Sequence, residues 1–162
     1  MINIWRQILI SVLVGFTVSN ANAYAVDMLF KGTLIEPPPC VVNGGQDINV
    51  SFDKVGINKI DGDSYRKEIN FILDCIDSPP WTMSMTLSSS SVASFSPGTI
   101  QSTINGLGIK IYSDGKPIVF SQPILIDPAR RPKLEAVPLS ENGVTLSEGK
   151  FTASATLTVQ YQ

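Results

Sequence analysis

Residues Phe151 to Tyr161 alternate without a break. Phe151, Ala153, Ala155, Leu157, Val159 and Tyr161 fall on one side and small polar groups on the other. A period of two held over eleven residues fits an extended strand with one buried face, because a helix would scatter the same positions around its circumference. The period recurs along the chain. Val41–Phe52 reads as a first core strand with Ile48, Val50 and Phe52 alternating after a turn at Asn43-Gly44-Gly45. Lys67–Cys75 reads as a second, with Ile69, Phe71, Leu73 and Cys75 on one face. Trp81, Met83, Met85 and Leu87 alternate after Pro79-Pro80, and Leu107, Ile109 and Ile111 do so further on.

Turn signals punctuate these runs. Asp114-Gly115 predicts a hairpin into Lys116–Phe120, and Glu141-Asn142-Gly143 predicts a turn after a short strand at Leu134–Leu139. Ser88–Gly98 is read as a serine-rich loop and Leu125–Arg131 as an irregular crossing. No segment carries a long 3.6-residue apolar period, so little helix is predicted. Six or seven short strands between frequent turns predict an all-β, immunoglobulin-like sandwich in a single domain.

Before this domain stands Val26–Leu34, which puts Val26, Met28, Phe30 and Leu34 on one face with Gly32 among them. Pro37-Pro38-Pro39 then follows. Three prolines offer no N–H to a ladder and favour stiff polyproline II, so the segment is placed to project outward and not to fold back. A glycine inside a strand weakens it unless another backbone must come close there. Upstream, Met1–Ala23 reads as a secretory signal peptide: Arg6 in the n-region, an apolar run over Ile8–Val18, and Ala21-Asn22-Ala23 at the cleavage site. Cleavage after Ala25 is the alternative. The apolar run is too short to span a bilayer, so no integral membrane span is expected in the mature chain.

Composition excludes several classes of function. Loss of Arg6 with the leader leaves 11 Lys and Arg against 14 acids, a formal charge of −3, and so no basic field for nucleic acid or an anionic membrane. There is no histidine, which removes the commonest general base and metal ligand and with it Ser-His-Asp and Cys-His chemistry. Two cysteines, Cys40 and Cys75, in an exported chain predict one disulfide formed in an oxidising compartment. The loop it closes is worth roughly 3–4 kcal/mol by the chain-entropy estimate.

The extension Phe30-Lys31-Gly32-Thr33-Leu34-Ile35, the pair Pro39-Cys40, the strand-ending Leu73-Asp74-Cys75, Gly149 and the penultimate Tyr161 together resemble the pilin subunits of bacterial chaperone–usher fimbriae. The resemblance covers essentially the whole chain and is strongest in the closing pattern. It implies an incomplete immunoglobulin-like β-sandwich (the pilin fold) that lacks its last strand and is completed by a donor strand from a neighbour. On that reading residues 24–39 form the donor extension and proline spacer, and 40–162 the pilin domain. Val26, Met28, Phe30, Gly32 and Leu34 are the donor residues. Gly149, Phe151, Ala153, Ala155, Leu157, Val159 and Tyr161 form the acceptor groove and chaperone contact. The implied partners are a periplasmic pilus chaperone, an outer-membrane usher and other fimbrial subunits, with export through the periplasm to a surface fimbrium and no cofactor. The short extension and the Cys40-to-Cys75 segment are similar to those of minor, tip-located adaptors.

Other candidate sites have plainer readings. Asp61-Gly62-Asp63 lacks the further ligands of a calcium loop and reads as a turn. Trp81 is expected in the core, not as a sugar platform. Asp127–Arg131 reads as a solvated loop. A sugar-binding adhesin module is the rival function, and exposed Trp81 and Tyr112 would favour it. A secreted enzyme is disfavoured by the missing histidine and by the absence of a clustered carboxylate pair.

Overall fold

The computed structural model describes residues 26–34, 40–75, 82–127 and 130–161. The leader, the three prolines and Trp81 fall outside them. The chain divides into two units, 1–35 and 36–162. In the first, residues 26–34 carry neither helix nor ladder, and every side chain is exposed, Phe30 at 83%.

The second unit is built from strands. In chain order they are β1 Cys40–Val42, β2 Lys67–Glu68, β3 Leu73–Cys75, β4 Met83–Ser88, β5 Thr99–Gln101, β6 Leu107–Ser113, β7 Lys116–Pro117, β8 Ile124–Ile126, β9 Leu134–Ser140 and β10 Thr156–Tyr161. One sheet runs β2-β9-β6-β5, with β7 also on β6. A second runs β10-β4-β8, and β1 pairs β3 alone. All pairings are antiparallel. Among the described residues the helical pieces are two single 3-10 turns, Asn43–Gly45 and Ile57–Lys59.

The core lies between the two larger sheets. Ile109 and Ile111 of β6, Ala136 of β9, Ile100 of β5 and Leu87 of β4 form one cluster. Met83 and Met85 of β4, Phe71, Ile126 and Leu134 form a second. Ile69, Ile124 and Leu157 pack against both and join them. Met83 and Met85 are 0% and 1% exposed, so each removes a whole side chain from water, worth about 1.5–3 kcal/mol.

Several strands differ from the sequence reading. Val41–Phe52 is not one strand. Asn43, Gly44 and Gly45 all take positive φ (51°, 61° and 76°), and the Asn43 side-chain amide donates to the carbonyls of Gln46 and Asp47. That turn breaks β1 from the segment after it, which keeps its alternation but joins no ladder. Lys67–Cys75 is two strands: β2 pairs β9, while β3 pairs β1, so a continuous run of alternating side chains changes hydrogen-bond partner halfway. Strand β5 follows the serine-rich loop directly, and the supposed irregular crossing takes in the last two residues of β8, which pairs β4. The hairpin at Asp114-Gly115 forms as expected. Both residues have positive φ (49° and 76°), the signature of a type I′ turn, and the Asp114 carboxylate accepts from the Lys133 N–H at 2.9 Å.

Cys40 and Cys75 face each other across the β1–β3 ladder and are bonded as a disulfide. Asp61 organises its turn: Oδ1 accepts from the N–H groups of Asp63 and Ser64 at 2.9 and 2.6 Å, and Oδ2 from the Ser64 hydroxyl. Those donors, the Ser64 N–H foremost, lower its pKa to about 2. In the loop before β9, Arg131 stacks over Phe71 and donates to its carbonyl. Pro128 and Ala129 fall outside the described residues.

Candidate functional site

Two extended stretches flank an opening in this unit. One is residues 48–52, where Ile48, Val50 and Phe52 are half-buried while Asn49 and Ser51 face solvent, and it ends at Asp53, whose φ is 54°. The other runs from Gly149 to Leu157, with Phe151 and Leu157 half-buried and Ala153 and Ala155 exposed. Between them lies a groove of about 1270 Å³ whose floor includes Ile69, Leu87, Ile100, Ile109, Ile111 and Ala136. The floor side chains belong to the buried core, and half-buried Val50, Phe52, Phe151 and Leu157 along the walls add to the apolar lining.

Neither wall is in a ladder before Thr156. The direction of the backbone groups shows which edge is free. The Thr152 carbonyl accepts from the Thr103 N–H at 3.0 Å, and the Thr152 N–H donates to the Thr103 hydroxyl at 3.1 Å. The Ser154 carbonyl accepts from the Ser89 hydroxyl at 2.9 Å. Thr152 and Ser154 therefore direct their groups towards the protein, and strand alternation turns those of Phe151, Ala153 and Ala155 the other way. An open edge with an apolar face beside it is what an added strand needs. Main-chain groups supply hydrogen bonds, and pockets take alternate side chains.

The groove is not uniform. Near one end the Phe52 and Phe151 rings lie 6.1 Å apart and bridge the two walls. Ala153 and Ala155, further along the same wall, are exposed. Gly149 adopts φ 152°, a backbone that L side chains rarely take, and a Cβ there would meet nothing within 4 Å. Val159 and Tyr161 lie beyond the cavity lining, on β10 where it pairs β4, and pack, as do Cys40 and Cys75, against the cluster of Phe71, Met83 and Met85. The Tyr161 hydroxyl is buried without a hydrogen-bond partner among the described residues.

The walls thus bring together Gly149, Phe151, Ala153, Ala155 and Leu157 from the sequence reading with Ile48, Val50 and Phe52, which that reading assigned to an ordinary core strand. Tyr112 offers no open sugar platform, because the Arg66 guanidinium sits 4.7 Å from its ring centre and the Lys110 ammonium 5.8 Å.

Comparison with known proteins settles the family. A fimbrial protein family model matches residues 28–162. The chain belongs to the fimbrial protein family. It is 38% identical to the uncharacterized fimbrial-like protein YfcQ of Escherichia coli (strain K12) over 153 residues, covering 90% of this chain and 94% of that one. It is 30% identical to the uncharacterized fimbrial-like protein YfcR of the same strain over 148 residues, covering 88% and 84%. Among solved structures the fold is similar to the P pilus rod subunit PapA, with TM-score 0.63, 18% identity and coverage of 84% of this chain and 99% of that one. It is also similar to the P pilus adaptor subunit PapF, with TM-score 0.57, 20% identity and coverage of 78% and 98%. The fold is therefore the incomplete immunoglobulin-like sandwich of pilus subunits. The chain is a structural subunit of a chaperone–usher pilus, exported by way of the periplasm to the cell surface, and not an enzyme. No helix among the described residues is long and apolar enough to cross a membrane.

Proposed function

We propose that the groove is an acceptor for a donor strand and that residues 26–34 are the strand this subunit gives to a neighbour. The observation that carries the reading is the pair of unladdered walls, residues 48–52 and 149–155, on either side of an apolar groove. One extended segment laid between them pairs with both edges and covers the floor. Val26, Met28, Phe30 and Leu34 are all exposed. Burying them at roughly 1.5–3 kcal/mol each gives about 6–12 kcal/mol before the costs of ordering and association. Neither a positive φ nor a crowded Cβ demands glycine at Gly32 in the free chain, which supports a close contact made only after docking.

In this account residues 1–23 (or 1–25) are removed on export, 24–39 form the extension with its proline spacer, and 40–162 form the pilin domain. A periplasmic chaperone lends a strand to the groove, with Tyr161 part of its contact. An outer-membrane usher then oversees exchange for the next subunit's extension. The short extension and the likeness of the Cys40-to-Cys75 segment to that of tip adaptors support a minor, tip-located position, where the subunit would contribute to adhesion by linking others.

The test is Gly32→Trp in cells that assemble the pilus. Export and co-purification with the chaperone are expected to persist, because the variant's own groove is intact, while its incorporation into fibres is lost. Normal incorporation would overturn the donor assignment. Equal recovery of wild-type protein from the periplasm with and without its chaperone would overturn the acceptor assignment.

A further inference from the structure

The wall formed by residues 149–155 stands where no ladder backs it. Strand β10 pairs β4 from Thr156 onwards, with Thr156 opposite Ser88, and β4 ends at Ser88. Before Thr156, side chains take over. We propose that Thr103 and Ser89 are positioning residues of the groove, whose hydroxyls stand in for a neighbouring strand and hold this wall with its free edge presented. The proposal rests on the donor-strand reading above and adds what sets the strength of the groove's grip.

Thr103 closes a ring of two hydrogen bonds with Thr152. Its N–H donates to the Thr152 carbonyl at 3.0 Å, and its hydroxyl oxygen accepts from the Thr152 N–H at 3.1 Å. An antiparallel ladder pair exchanges the same two bonds between main chains, so here a side chain supplies the acceptor that a strand would. Two residues on, the Ser89 hydroxyl donates to the Ser154 carbonyl at 2.9 Å and is itself held by the Ser91 N–H at 3.2 Å. A gap of about 310 Å³ lies along this edge, lined by Ser91, Gln101, Ser102 and Thr103 and by residues 152–154. Its lining holds no apolar side chain larger than that of Ala153, so hydrogen bonds and not packing fix the wall here.

The turn that carries Thr103 is stiffened from within. The Gln101 side-chain amide donates to the carbonyls of Ser102, Ile104 and Leu107 at 3.2, 3.1 and 3.1 Å. The buried Ser102 hydroxyl donates to the Ile104 carbonyl and accepts from the Ile104 N–H. The same turn packs at Gly106 against Val144 and Leu146, where a Cβ would lie 2.5 Å from a Val144 methyl. Residues 102–106 therefore grip the chain both before and after Gly149. A wall fixed in advance spares an incoming strand the cost of ordering it, whereas a wandering wall binds only in the fraction of molecules whose edge is aligned.

Affinity measured beside stability separates positioning from a general structural role. A labelled peptide of residues 24–36 is titrated with the full mature chain, and the urea midpoint of each variant is recorded. Thr103→Val keeps the side-chain shape and removes the acceptor of the Thr152 N–H; it is expected to lose about tenfold in affinity, and Ser89→Ala about threefold. Thr103→Ser keeps the hydroxyl and should bind within about twofold of wild type. The control is Ile126→Val, in the second core cluster and outside the groove lining, which should lower the urea midpoint while changing affinity by about twofold or less. In the free chain the Thr152 amide should exchange more slowly than those of Phe151 and Ala153, and lose that protection in Thr103→Val.

Thr103→Val binding as tightly as wild type, no recovery with Thr103→Ser, an equal loss in Ile126→Val, or a Thr152 amide as fast as its neighbours in the wild-type chain overturns this inference and leaves the donor-strand reading standing. A wild-type chain that does not bind the peptide overturns both.

Discussion

Truncating Phe30 to alanine tests whether the even-numbered face of the extension is the one that docks. Phe30 is 83% exposed in the free chain, so nearly all of its ring surface is available to be buried. Full burial of a phenylalanine is worth about 1.5–3 kcal/mol. A groove lined by packed core side chains collapses only partly into the space the ring leaves, which adds a cavity cost. We therefore expect a loss of about 2–3 kcal/mol, or about 30-fold to about 150-fold in Kd. The assay is fluorescence anisotropy of a labelled peptide of residues 24–36 titrated with the mature chain, wild type against Phe30→Ala. Lys31→Ala is the internal comparison. Its side chain is on the opposite face, and an exposed substitution should change the affinity by about twofold or less. A Phe30→Ala peptide that binds within twofold of wild type, or a Lys31→Ala peptide that loses as much as Phe30→Ala, would show that the wrong face has been assigned.

Three further outcomes follow from the domain itself. At Gly108 a Cβ would lie 2.4 Å from the Thr99 methyl and 3.0 Å from the Ile100 carbonyl oxygen, so Gly108→Ala should lower stability by about 1–3 kcal/mol, read as a shift in the urea midpoint. The Asp61 pKa is lowered to about 2 by N–H groups of its own turn. Its contribution to stability is therefore complete above the unfolded carboxylate value near 3.9 and is lost as pH falls towards 2. Asp61→Asn should flatten that part of the stability–pH curve, and an unchanged slope between pH 4 and 2 would contradict the assignment. Tyr161→Phe removes a buried hydroxyl that has no partner among the described residues, so thermal stability should be unchanged or raised, whereas a marked loss would mean the hydroxyl is satisfied.

Period-two patterning reports which side of a segment faces the core and says nothing about which edges are paired. This explains what could and could not be read in advance. The inward positions of β4 and β6 and the Asp114-Gly115 turn were legible because they depend on side-chain burial and on local backbone chemistry, and the disulfide because the chain has only two cysteines, Cys40 and Cys75. The change of partner between β2 and β3 was hidden, since Ile69, Phe71 and Leu73 alternate straight through it. Strand β5 is three residues just after the serine-rich loop and carries too little pattern to stand out. The same blindness concealed half of the groove. Ile48, Val50 and Phe52 alternate just as residues of a laddered strand would, and only the absence of a partner on their free edge marks them as a wall. The other wall was found through the family resemblance carried by Gly149 and Tyr161, not through the pattern alone.

Amide hydrogen exchange at the free edge is the most direct measurement of the central claim, that this sandwich lacks a strand which a neighbour's residues 26–34 supply. In the mature chain alone, the amides of Phe151, Ala153 and Ala155 and those on the free edge of residues 48–52 should exchange fast, and those of β6 and β9 slowly. Addition of the 24–36 peptide should slow both walls together and leave the rest of the domain little changed. Walls already protected in the free chain, or unmoved by saturating peptide, would contradict the account.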